Sequence, residues 1–121
     1  MTRFDIILGK ENTSKEKNKL TLVLEEGDDI LRSIKQGMNE NKIKEASVIS
    51  VNGNLLEGII STKSGQVTVE DTGLINAKGK FKFGGDELWG KLNIFTEGKK
   101  PIDGILLKGK AKENLEIILE F

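Results

Sequence analysis

Histidine and cysteine are both absent from this chain of 121 residues. Without histidine, the usual general base near neutral pH, the usual activator of a nucleophile and the commonest metal ligand are missing together. Without cysteine there are no disulfides and no thiol chemistry, so a stapled, secreted fold is not expected. An excess of charge is missing too: 19 basic residues balance 19 acidic ones, with nine and ten in residues 1–60 and ten and nine in residues 61–121. Such a chain lacks the strong field that draws nucleic acid or membranes nonspecifically. Long apolar runs are also lacking. The longest near the N-terminus, Phe4 and Ile6 to Leu8 with Asp5 inside it, is too short for a signal peptide or a membrane span. The expectation is a cytoplasmic protein with no cofactor and no membrane association. It should form one domain over residues 1–121 that buries about two thirds of its unfolded surface.

What is present is most informative between Lys19 and Gly58. Leu20, Leu22 and Leu24 alternate with Thr21, Val23 and Glu25, the period of two that buries one face of a strand. Gly27 and Asp28 then turn the chain toward a helix from Asp28 to about Asn41, with Asp28 as N-cap and Asp29 adding negative charge to the first turn. Ile30, Leu31, Ile34 and Met38 make one apolar stripe, and Arg32, Lys35, Gln36 and Asn39 take the wet side. Ala46, Val48, Ile49 and Val51 form the next strand. Asn52-Gly53 closes it with a dipeptide that turns at low cost.

The rest reads as strands and turns. Arg3 to Leu8 suits a first strand, and Gly9 to Asn18 a polar, mobile loop. Glycines at 58, 65, 73, 79, 84, 85, 90, 98, 104 and 109 divide the second half into short pieces, and the lone proline, Pro101, falls in a Gly-Lys-Lys-Pro turn. Leu115, Ile117, Ile118, Leu119 and Phe121 end the chain as a strand apolar on nearly both faces, which suits a central or interface position. The expected class is α+β: a mostly antiparallel sheet of short strands with one main helix packed on it. A sandwich or barrel is the alternative.

GDDIL (Gly27 to Leu31), IKEASVISVNG (Ile43 to Gly53), QVTVEDTGLI (Gln66 to Ile75) and DGILLKGKA (Asp103 to Ala111) resemble, in order and spacing, the motifs of the plant-and-prokaryote-conserved (PPC) domain. The resemblance covers about four fifths of the chain and implies a homotrimer of weakly defined biochemical role. Metal-binding members and the related acetolactate decarboxylase fold gather histidines from a His-x-His strand and a Gly-Gly-His motif. Laid on this sequence, those positions fall on Trp89, Lys91 and Ile105, none of them a zinc ligand, so an enzyme of the decarboxylase branch is not expected. Plant members bind DNA through a separate AT-hook, and no such stretch exists here.

Few residues remain to carry chemistry. Asp86, Glu87, Glu97 and Asp103 match no oxygen-ligand loop, and they read as surface carboxylates in turns. Gly84-Gly85-Asp86-Glu87 matches the diguanylate cyclase signature over five residues with Leu88, yet it reads as an ordinary hairpin turn between Phe83 and Leu88. Lys78, Lys80 and Lys82 alternate with Gly79, Phe81 and Phe83, and Lys108, Lys110 and Lys112 repeat the pattern. On neighbouring strands these six lysines would form a basic patch able to contact phosphates of DNA. Solvent-facing lysines that keep strands soluble are the plainer reading. Trp89 is either a core residue or the wall of a pocket that binds a small ligand, with Lys91 and Asp103 supplying charge. The sequence thus points to a noncatalytic, homo-oligomeric module that binds a small molecule or a regulatory protein. DNA binding is the alternative.

Overall fold

The computed structural model describes residues 3–7 and 18–121. Along the chain the elements are β1 (Arg3–Ile7), β2 (Lys19–Leu24), α1 (Ile30–Glu40), β3 (Glu45–Thr62), β4 (Gly65–Gly84), β5 (Glu87–Thr96), β6 (Asp103–Ala111) and β7 (Leu115–Glu120). The expected first strand is present, and the expected loop at residues 9–17 lies outside the described residues. Every strand pairing is antiparallel. A mostly antiparallel sheet carrying one short helix agrees with the α+β expectation.

The sheet runs β1-β2-β7-β3-β4-β5-β6, and β6 pairs back onto β3. Strands β3, β4, β5 and β6 therefore close a ring, and β7, β2 and β1 extend from it as a flap. The closure depends on the length of β3, 18 residues. On one edge β3 pairs first with β7, over Ser47 to Asn52, and then with β6, over Leu55 to Ser61. Asn52-Gly53 is thus no turn. Gly53 takes φ 139 inside the strand, and a Cβ there would stand 2.9 Å from the Cα of Leu115. Glycine at this point serves a close backbone approach where β3 changes partner, which locally reads like turn chemistry.

The short strands expected of the second half are also corrected, since β4 alone spans 20 residues. Several of its glycines are interior. A Cβ on Gly79 would fall 2.1 Å from the carbonyl oxygen of Lys91, and one on Gly90 would fall 2.2 Å from that of Lys80. These glycines mark tight crossing points of β4 and β5.

Helix α1 begins one residue later than the sequence suggests. Asp29 is the N-cap and accepts from the Arg32 N–H at 2.9 Å, while the Asp28 carboxylate accepts from the Glu25 N–H at 2.9 Å and holds the preceding turn. At the other end Ile43 N–H donates to the Met38 carbonyl and Lys42 N–H to that of Asn39, a Schellman close with Lys42 at φ 55. Ile30, Ile34 and Met38 are buried as the stripe requires, with Leu31 half-buried. They pack on β2 and β6. Leu20, Leu22 and Leu24 of β2 meet Leu115, Ile117 and Leu119 of β7 in the same core. Strand β7 is central, as its composition suggests, and its second face, with Glu116, Ile118 and Glu120, is only half-buried.

Candidate functional site

Charged and aromatic side chains concentrate on the β4–β5 hairpin. Gly84 pairs with Glu87, so Gly85-Asp86 makes the turn, and Gly85 at φ 67 supplies the left-handed backbone that such a turn needs. The cyclase-like tetrapeptide is therefore a hairpin turn. Alternation sends Phe81 into the core and Lys78, Lys80 and Lys82 to the opposite, exposed face. Across β5, Lys82 stands opposite Trp89, Lys80 opposite Lys91 and Lys78 opposite Asn93. Across β3, Lys80 faces Ser47 and Lys82 faces Glu45.

Side chains directly opposite on one sheet face have their Cβ atoms about 5 Å apart, where like charges destabilise the pair. Lys80 and Lys91 occupy such positions. Neither they nor Lys78 and Lys82 form an ion pair among the described residues. A groove of about 750 Å³ runs beside them, lined by Ser47, Lys78, Lys80, Lys91, Asn93 and Glu120, with Val48, Ile49 and Gly79 as its floor. Three ammonium groups thus face one carboxylate.

Trp89 is 65% exposed, which removes the core reading. Its indole lies over Gly84: a Cβ there would stand 2.9 Å from Nε1 and 3.1 Å from Cδ1. Glycine makes room for the ring on the sheet surface. Strand β6 pairs only with Asn93 to Phe95 of β5, so the far edge of β5 over residues 87–92 has no strand partner among the described residues.

The two lysine ladders do not merge. Lys110 and Lys108 stand opposite Glu57 and Ile59, ten or more residues further along β3 than Ser47. This second ladder is also largely neutralised. Lys110 pairs with Glu57 at 3.5 Å and Lys112 with Asp71 at 2.6 Å. The hydrogen bond from Lys112 to Asp71, reinforced by the carboxylate charge, raises its pKa above the usual 10.5 and keeps it cationic. Asp103 does not join Trp89 and Lys91 either. It pairs with Phe95, six residues along β5 from Trp89, about 20 Å of strand. Ile105 stands opposite Asn93. Asp86 and Glu87 lie at the hairpin end of β5 and Glu97 beyond its other end, and among the described residues no three potential metal ligands gather.

The opposition of Lys80 and Lys91 escapes sequence reasoning because it depends on register. A second basic cleft escapes it too. Lys35, Lys42 and Lys44 line an open cleft of about 870 Å³ between the end of α1 and the hairpin, with Phe83 and Met38 at its base and Asp86 on its rim. Their sequence separation hides the grouping.

The Plants and Prokaryotes Conserved (PCC) domain model matches residues 11–120. The chain belongs to this family. No functionally curated protein matches it. Among solved structures the fold is similar to a candidate DNA-binding protein of Bacteroides thetaiotaomicron, with 16% identity and a TM-score of 0.72, covering 84% of this chain and 76% of that one. A metal-containing protein of Archaeoglobus fulgidus gives 18% identity and a TM-score of 0.71, covering 99% and 84%. A PPC protein of Pyrococcus horikoshii gives 13% identity and a TM-score of 0.60, covering 89% and 83%. At such identities the likeness establishes the PCC fold alone. No helix among the described residues is long and apolar enough to cross a membrane.

Proposed function

We propose that this PCC domain is a noncatalytic binding module that acts in the cytoplasm as a homo-oligomer, a trimer in keeping with its family resemblance. One observation carries the reading: the positions that the resemblance aligns with the family's histidines hold Trp89, Lys91 and Ile105. A solvent-exposed indole, an ammonium and a sec-butyl group neither ligate zinc nor exchange protons near neutral pH. Native mass spectrometry of the purified protein tests both parts at once. The expected spectrum shows three chains and no stoichiometric zinc. A monomer across the accessible concentration range, or one zinc per chain retained through dialysis against a weak chelator, overturns the reading.

The second reading, nucleic-acid binding, is favoured by the unpaired lysines beside the β4–β5 groove and by the description of the Bacteroides relative. It would concern Lys78, Lys80, Lys82 and Lys91 rather than the ladder of Lys108, Lys110 and Lys112, in which Lys110 and Lys112 are paired with carboxylates.

A further inference from the structure

We infer that the groove and hairpin face of β4 and β5 form a binding surface for single-stranded nucleic acid, an inference that rests on the binding-module reading above. Three features converge on it. The first is a row of ammonium groups at alternate positions of β4, about 6.7 Å apart along the strand, a step comparable to the reach between successive phosphates of an extended nucleotide chain. The second is the opposition of Lys80 and Lys91. A phosphate that settles between them would meet two ammonium groups brought to one place by strand register. The third is Trp89, whose exposed ring lies on the same face, over Gly84 and opposite Lys82.

The aromatic ring decides between single and double strands. In a duplex the base faces are already stacked on one another, so an exposed indole reaches one only at the cost of unstacking a base step. An unpaired base presents a π-face to stack on, whatever its identity. Ser47 and Asn93 line the groove and supply donors for sugar or phosphate oxygens. Among the described residues the acidic groups nearby include Glu45 opposite Lys82, Glu120 on the groove wall, and Asp86 and Glu87 at the hairpin end, and no ion pair joins them to these lysines. They limit the positive potential and predict modest affinity with strong salt dependence.

Trp89 is the sole tryptophan, so its fluorescence reports directly on the site. The test titrates the full chain with oligothymidylate of about 15 nucleotides, within the range one small domain covers, and in parallel with a duplex of the same length, inorganic polyphosphate and anionic phosphatidylserine vesicles. The expected result is quenching by the single strand, lost steeply as salt rises. Replacing Lys80 and Lys91 with Gln should weaken binding at least tenfold. Trp89→Leu, followed by fluorescence anisotropy of a labelled strand, should weaken it at least about fivefold, the low end for one stacked base. Lys108→Gln with Lys110→Gln should leave it within about twofold, and circular dichroism controls for folding. Equal binding of duplex or polyphosphate without a Trp89 response would overturn the inference. So would a stronger response to vesicles, or no binding by a protein whose Lys80 and Lys91 variants aggregate, which would make the lysines guards of the open β5 edge. A trimer that fails to bind the oligonucleotide removes this inference alone, whereas a monomer removes the reading beneath it.

Discussion

Lys80 and Lys91 stand directly opposite each other across β4 and β5, with the flanking glycines Gly79 and Gly90 holding the two backbones close. The sheet therefore places two like charges directly opposite each other, in a chain whose total charge is zero. Nothing in the packing demands lysine at either position, since both side chains are exposed.

Replacing Lys91 with Glu should convert the repulsion into an attractive cross-strand pair. The expected gain is about 0.2–1 kcal/mol, read as a higher melting temperature at low salt that shrinks as salt is added. A lower melting temperature would mean that the lysines are not in electrostatic conflict.

Trp89→Ala distinguishes a surface ring from a core ring by magnitude. Because the indole is largely exposed, urea unfolding should register a loss below about 1 kcal/mol. Removal of a buried aromatic costs about 3–5 kcal/mol, and a value in that range would return Trp89 to the core.

Lys42 closes α1 in a left-handed conformation, φ 55, that glycine adopts more readily. Lys42→Gly should therefore stabilise the protein by roughly 0.5–1 kcal/mol, measured by chemical denaturation. A loss of stability would show that the Lys42 side chain makes contacts worth more than the backbone strain.

Gly53→Ala tests the partner exchange of β3. The added methyl meets the backbone of Leu115 and the backbone torsion resists it, so the variant should lose roughly 2 kcal/mol or more. Hydrogen exchange should report the damage at the junction of β3 and β7. A neutral effect would indicate that this junction yields easily.

Parts of this fold were legible because the information is local. The alternation of Leu20, Leu22 and Leu24, the stripe of Ile30, Ile34 and Met38, and the apolar run from Leu115 each record which face is buried within a few residues, and each element forms where it is expected. The hairpin at Gly85-Asp86 was legible for the same reason. The motif order that marks the PCC domain is likewise written along the chain.

Tertiary structure alone decided the rest. A glycine that permits a turn and one that permits two backbones to touch are the same residue, so Gly53 reads as a turn until β7 and β6 are seen to share the edge of β3. Likewise, Trp89 is apolar enough for a core and is left on the surface because its register opposite Lys82 puts it on the outer face of the sheet. The charge pattern followed the same rule. Two ladders of lysines look alike in sequence, yet Glu57 and Asp71 pair with two lysines of one while Lys91 is set against the other. Composition and periodicity determine which residues face solvent. Strand register, set by pairing between distant segments, determines which charges meet there.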